Sequence, residues 1–180
     1  MENIKVKDLM VPLSDYATVP PTANLREAVK ALKESQDKCR VEIPHRAVLV
    51  MTDDGTVVGK ISQWDVIRSL EPKYGQIGEF DKLSRFGFSI DFIKNMQKTY
   101  NLWQWSSDNM GDIADNILVK DIMYTPTEGE FVSENQTLRE AIHQLTIGQH
   151  QSLLVIRDKE VVGVLRFVDV FNEIVKLIHE

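Results

Sequence analysis

The sequence predicts an α/β fold (α+β in its layering): two tandem βαββα units packed with quasi-twofold symmetry, plus a helical, aromatic-rich insertion. Three observations predict it: an internal repeat, a hydrophobic period that alternates between strand and helix spacing in the same order in each copy, and a middle segment with no counterpart. Residues 6–32 and 119–145 align without a gap at a constant offset of 113, and ten of the 27 positions are identical. Those are Val6, Lys7, Asp8, Met10, Val19, Leu25, Arg26, Glu27, Ala28 and Leu32 in the first copy. The similarity resumes at His45 and His150, with one residue fewer in the second copy's turn. Two matching blocks in the same order mark a duplication.

The elements follow in order. A short extended stretch, 16–19 or 129–132, precedes a helix whose apolar residues fall at i, i+3, i+4 and i+7. They are Leu25, Ala28, Val29 and Leu32, then Leu138, Ala141, Ile142 and Leu145. Asn24 with Glu27, and Thr137 with Glu140, have the spacing of a capping box at the helix start. Next comes an uninterrupted apolar run, 47–51 or 153–156, short enough for a buried strand. A turn at Asp53-Asp54-Gly55 or Asp158-Lys159 leads to a β-branched second strand. A helix starts at about Trp64 or Val168, and Phe171, Ile174, Val175 and Ile178 line one stripe of the last one. A unit of this kind has a sheet face it cannot cover alone, so two copies pack together and leave equivalent clefts.

The division expected is 1–71 for the first repeat, 72–116 for the insertion and 117–180 for the second repeat. The insertion holds eight of the fourteen aromatic residues: Tyr74, Phe80, Phe86, Phe88, Phe92, Tyr100, Trp103 and Trp105. Disordered linkers are poor in aromatics, so ordered structure is expected. Phe92, Ile93, Met96, Tyr100 and Trp103 fit a helical stripe, which either packs on its own module or forms an interface.

Composition excludes several classes. A net charge of -6 over 180 residues argues against non-specific nucleic-acid binding. No apolar run reaches the roughly 18 residues of a membrane helix, so no membrane partner is expected. The first residues lack the apolar core of a secretory signal. Cys39 is the single cysteine, so a cytoplasmic protein is expected. Gly55-x-x-x-Gly59-Lys60 falls short of a phosphate-binding P-loop by one residue, and Ile61 follows the Lys. His45, His143, His150 and His179 show no metal-ligand spacing. No nucleophile, base and orienting residue assemble from the motifs, so no enzyme and no required cofactor are expected.

The run Val57-Val58-Gly59-Lys60-Ile61-Ser62-Gln63-Trp64-Asp65 has the form h-h-G-x-h-S/T-x-x-D. With the leading Asp-Leu/Ile-Met and the Leu-Arg-Glu-Ala helix, it resembles the CBS domain, named after cystathionine β-synthase. Two such sets, over about residues 6–71 and 117–174, resemble the tandem pair called a Bateman module, here standing alone with a long insertion. The resemblance implies a regulatory module with two clefts for adenine nucleotides or related adenosyl ligands, often assembled as a homodimer. The motif Asp would hold the ribose hydroxyls. Carried onto this sequence, one cleft combines Lys60, Ser62 and Asp65 with Glu130, Gln151 and Ser152. The other combines Val164, Arg166 and Asp169 with Tyr16, Ala17, Arg46 and Ala47.

The chemistry is sound independently: a carboxylate accepts two charge-assisted hydrogen bonds from a vicinal diol, and backbone N–H groups at a helix start suit phosphate oxygens. Ser62-x-x-Asp65 also reads as a capping box that needs no ligand. Asp169 persists although Arg166 replaces its capping partner, which favours a ligand role. Arg166 departs from the family pattern and either meets a phosphate or pairs with Asp169 and fills the site. The leading expectation is thus a nucleotide sensor acting on a partner protein. The alternatives are a structural dimerisation module with degenerate clefts, or a sensor of S-adenosylmethionine or a metal ion.

Overall fold

A computed structural model of the chain describes residues 3–38, 44–71, 73–74, 87–103 and 109–179. Cys39, Phe80, Phe86 and Trp105 lie outside the described residues.

The first repeat contains β2 (Thr18–Val19), α2 (Leu25–Lys38), β3 (Ala47–Met51), β4 (Val57–Ser62) and α3 (Gln63–Ser69). Its partner contains β5 (Phe131–Ser133), α7 (Leu138–Gly148), β6 (Ser152–Arg157), β7 (Glu160–Arg166) and α8 (Phe167–His179). Ahead of each stand a short helix and an extended segment: α1 (Val6–Leu9) with β1 (Val11–Pro12), and α6 (Val119–Ile122). The insertion contributes α4 (Ile90–Thr99) and α5 (Met110–Asn116). Both copies are therefore βαββα, as the pattern predicts, with the last helix of each starting one residue earlier than expected.

The duplication extends to detail. β2 runs parallel to β3 and β5 parallel to β6, with Thr18 opposite Leu49 and Phe131 opposite Leu154. Each antiparallel hairpin breaks register at the same place, after Val50 and after Val155. The capping boxes form as spaced. The Asn24 N–H donates to Glu27 Oε2 at 2.9 Å and the Glu27 N–H to Asn24 Oδ1 at 2.9 Å. Thr137 and Glu140 repeat the exchange at 2.7 and 3.3 Å. The shorter second turn places Asp158 and Lys159 at φ 48° and 75°, whereas the longer first turn uses Gly55 at φ 86°.

Period-two alternation sorts the strand side chains. Val48 and Val50 face the core under α2, and Leu153 and Val155 the core under α7. Leu49 and Leu154 point the other way, meeting Tyr16 and Val164 between the two sheets. Both faces of these strands are buried, which explains their continuous apolar sequence.

The leading segments are exchanged. Val6, fully buried, sits in the second repeat's core, and Val119, also fully buried, sits in the first repeat's. The Leu138 N–H donates to the carbonyl of Ile4 and the Leu25 N–H to that of Ile117, each at 2.8 Å. β1 adds to the second sheet, giving the order β1-β7-β6-β5, while Tyr124 bridges Lys60 of β4. Each exchanged valine contributes about 1.5–3 kcal/mol of burial to the other repeat. Gly59 and Gly163 let these segments approach. A Cβ on Gly163 would lie 2.6 Å from the Val11 carbonyl oxygen, and one on Gly59 would lie 2.7 Å from Met123 Sδ.

The stripe on α8 divides. Val170 is buried and Ile174 packs on the core, while Phe171 and Ile178 stand 53% and 72% exposed. The helix has more apolar residues than one docking face can cover. In the insertion, the Trp103 N–H donates to Glu71 at 2.5 Å, and its indole N–H to the Tyr74 hydroxyl at 2.8 Å. Arg26 binds Asp115 of α5 bidentately at 2.5 and 2.9 Å. On α4, Ser89 caps the helix by accepting from the Phe92 N–H at 3.1 Å. The predicted stripe is helical through Met96, and Phe92, Ile93 and Tyr100 remain exposed. Trp103 follows the helix in a turn at φ 60°.

Candidate ligand cleft at the repeat junction

The ends of β3, β4, β6 and β7 and the starts of α3 and α8 converge on one side of the junction. Strand ends leave polar side chains there because alternation no longer buries them. The result is a groove of about 620 Å³, within the range of small-molecule sites. All six residues assigned to the first cleft line it: Lys60, Ser62, Asp65, Glu130, Gln151 and Ser152. Tyr16, Arg46, Ala47 and Arg166 of the second set line the same groove. Ala17, Val164 and Asp169 are not among its walls; Ala17 packs on the first repeat's core, and Val164 lies between the sheets.

Asp65 and Ser62 form the capping box that the sequence allows. The Ser62 N–H and hydroxyl donate to Asp65 Oδ2 at 2.8 and 2.6 Å, and the Asp65 N–H donates to Ser62 Oγ at 3.3 Å. All of these bonds to the carboxylate use Oδ2. Oδ1 has no hydrogen bond among the described residues, so capping leaves half the carboxylate for a ligand.

Across the groove Glu130 is buried, 2% exposed. Its carboxylate accepts from Lys60 Nζ at 2.8 Å, from the Tyr124 hydroxyl, and from the Thr127 N–H at 3.2 Å. Burial pushes its pKa up, but the Lys60 ammonium and the Tyr124 hydroxyl together hold it below the usual glutamate range. The Tyr124 phenol is pushed up to about 12, first by its bond to Glu130 and then by burial. Lys60 also lies 5.1 Å from the Tyr124 ring centre.

Around Asp169 the arrangement is different. Arg166 Nε donates to Asp169 Oδ2 and Nη2 to Oδ1, both at 2.5 Å. Both carboxylate oxygens are therefore engaged by one guanidinium. Nη1 of the same group lies 3.5 Å from His45 Nδ1. His45 is fully buried, its ring centre 4.3 Å from that of Tyr16. Burial and then the Arg166 charge lower its pKa.

Tyr124 is a groove residue that the sequence pattern does not single out as a ligand, and His45 lies buried behind the wall, against Arg166 and Tyr16. The signal for Tyr124 lay in comparing the copies: it aligns with Val11 at the 113-residue offset, a polar ring against an apolar side chain. Among the described residues no group of three or more His, Cys, Asp or Glu could hold a metal ion. No helix among them is long and apolar enough to cross a membrane.

The fold and groove define a tandem-repeat α/β module with an open cleft where its two halves meet. The CBS domain model matches residues 6–72 and 119–176, and the chain belongs to that family. The structure is similar to that of the CBS-pair protein CBSX2 from Arabidopsis thaliana, with TM-score 0.60 at 18% identity, covering 98% of both chains. It is similar as well to CBSX2 in complex with AMP, at TM-score 0.60 and 20% identity over 97% of this chain and 98% of that one. A third likeness is to the CBS domain of a bacterial CNNM/CorC family Mg2+ transporter in complex with ATP. There the TM-score is 0.62 at 15% identity, over 97% of this chain and 89% of that one. Among curated proteins, a hemolysin C homolog of Rickettsia rickettsii is 36% identical over 88 residues, 47% of this chain. The match spans about a quarter of that relative's length, 26%.

Proposed function

We propose that this chain is a non-catalytic, ligand-sensing regulatory module that binds an adenine nucleotide of the AMP, ADP or ATP class and signals its occupancy to a partner protein. The observation that carries the reading is the free Oδ1 of Asp65 in a junction groove of about 620 Å³. In this reading Oδ1 accepts the ribose hydroxyls, with Ser62 holding the carboxylate in place. Gln151, Ser152 and the Glu130 backbone frame the base, while Lys60, Arg46 and the opposite wall of Tyr16 and Ala47 face the phosphates. Similarity of fold to proteins solved with AMP and with ATP supports this choice of ligand. The repeats are assigned to 1–71 and 117–180, with 72–116 as the insertion, in a cytoplasmic setting suited to one reduced cysteine.

The test is calorimetry with AMP, ADP and ATP on the wild type and two variants. Losing a charged partner of the ribose diol costs roughly 1.5–3 kcal/mol, so Asp65→Ala weakens binding about ten- to 150-fold. Asp65→Asn, which still caps, weakens binding while thermal stability stays nearly unchanged. If Asp65→Ala lowers stability but leaves nucleotide affinity as it was, Asp65 is a cap and the ribose assignment is wrong.

We also propose a homodimer. Trp64 and Ile67 on α3 and Phe167, Phe171 and Ile178 on α8 stand exposed, on helices that are equivalent in the two repeats. Two such faces related by a twofold axis are self-complementary. Light scattering should give about twice the chain mass of 20.6 kDa; the monomer mass at micromolar concentration would count against it.

A further inference from the structure

We propose that the second cleft is plugged by its own side chain: Arg166 takes the place of a ligand on Asp169, so each chain holds one nucleotide, in the first cleft alone. This rests on the nucleotide reading above and adds stoichiometry and the residue that sets it.

Four observations converge on it. Arg166 stands at the position of Ser62 in the repeated motif, and Asp169 at that of Asp65. Ser62 bonds one oxygen of its aspartate, whereas Arg166 takes both, at 2.5 Å each. The pair is enclosed: the two side chains are 9% and 19% exposed, and Nη1 reaches on to the buried His45. His45 in turn packs on Tyr16, ring centres 4.3 Å apart, backing the guanidinium from the buried side. Lastly, Val164 stands where the first cleft has Lys60, and it is 2% exposed between the sheets. A ribose approaching Asp169 would have to break a bidentate, largely desolvated ion pair and leave the guanidinium buried without its partner. Among the described residues no side chain bonds Asp65 Oδ1.

The experiment is isothermal titration calorimetry of the full chain with ATP, and separately with AMP, with melting curves to confirm folding. Wild type should bind one nucleotide per chain, and Asp65→Ala should weaken that site more than tenfold. Arg166→Ser should bind two. Asp65→Ala in the Arg166→Ser background should keep one, which Asp169→Ala then removes. Two nucleotides on the wild type, or a single site untouched by Asp65→Ala, would overturn the proposal. A folded Arg166→Ser that still binds one would do the same. Should Arg166→Ser not fold, Arg166→Thr replaces it, and the wild-type stoichiometry with Asp65→Ala decides by itself. Absence of binding by every folded variant would instead sink the nucleotide reading, and the stoichiometry with it.

Discussion

Where the first cleft presents Lys60, Ser62, Glu130 and Tyr124, the second presents, at the equivalent positions, Val164, Arg166, Ala17 and Val11. In the first, the polar side chains line an open groove, and two of them, Lys60 and Tyr124, bond the buried Glu130 carboxylate. In the second, three apolar residues have joined the packing and the one charged residue has closed on Asp169. After duplication only one copy of a site needs to keep its ligand. The other is free to turn the same backbone to cohesion between the halves. The comparison teaches that polarity in this fold is allotted by cleft and not by repeat, since each cleft draws on both.

The largest expected effect comes from making the first cleft like the second. Ser62→Arg places a guanidinium three residues before Asp65 and should reproduce the plug. Nucleotide affinity should fall by more than about 100-fold, roughly 2.7 kcal/mol, while loss of the Ser62 cap costs about 0.5–2 kcal/mol of stability. Affinity within tenfold of wild type in calorimetry would show that an arginine at this position does not by itself close a cleft.

A smaller effect tests the glycines beneath each cleft. The nearest obstacle to a Cβ on Gly163 is a backbone carbonyl, whereas on Gly59 it is the end of the flexible Met123 side chain. Gly163→Ala should cost about 1–3 kcal/mol of stability, as overpacking does, and Gly59→Ala clearly less. Equal losses in chemical denaturation would mean that the two exchanged segments are held with equal rigidity.

The smallest concerns Tyr124. Its pKa is raised from 10.0 to about 12, so its contribution to stability is complete below pH 10 and is lost as pH rises toward 12. The ring is 42% exposed, and solvent screening holds the effect to about 1 kcal/mol or less. In a titration followed by phenolate absorbance, Tyr124→Phe should remove the transition near pH 12. If that transition persists in the variant, the Glu130 cluster is not the cause of the shift.

The fold was legible because the strand and helix signals are local and occur twice. The capping boxes at Asn24 and Thr137, the doubly buried strands and the Gly-x-h-S/T-x-x-Asp motif each rest on spacing alone. The cleft was half legible. The six first-cleft residues line one groove, but whether Arg166 meets a phosphate or Asp169 depends on a rotamer, which spacing does not encode. The exchange of Val6 and Val119 was not legible at all. Alignment shows that two segments match and is silent on which core each one enters. The copies' disagreements at Lys60/Val164 and Tyr124/Val11 were the overlooked signal, since each bridged pair changes character together.

That exchange also bears on how the chain folds. Ile4 bonds Leu138 across 134 residues and Ile117 bonds Leu25 across 92, so each core closes only once segments far apart in the sequence have met. High contact order of this kind slows folding, and it makes assembly of the halves concerted, with no completed half waiting for the other. The stretch that was copied is offset by one segment from the body that packs. Each repeat thus lends its first turn of helix to the other's core, and the loan is what ties the two halves into one cooperative body.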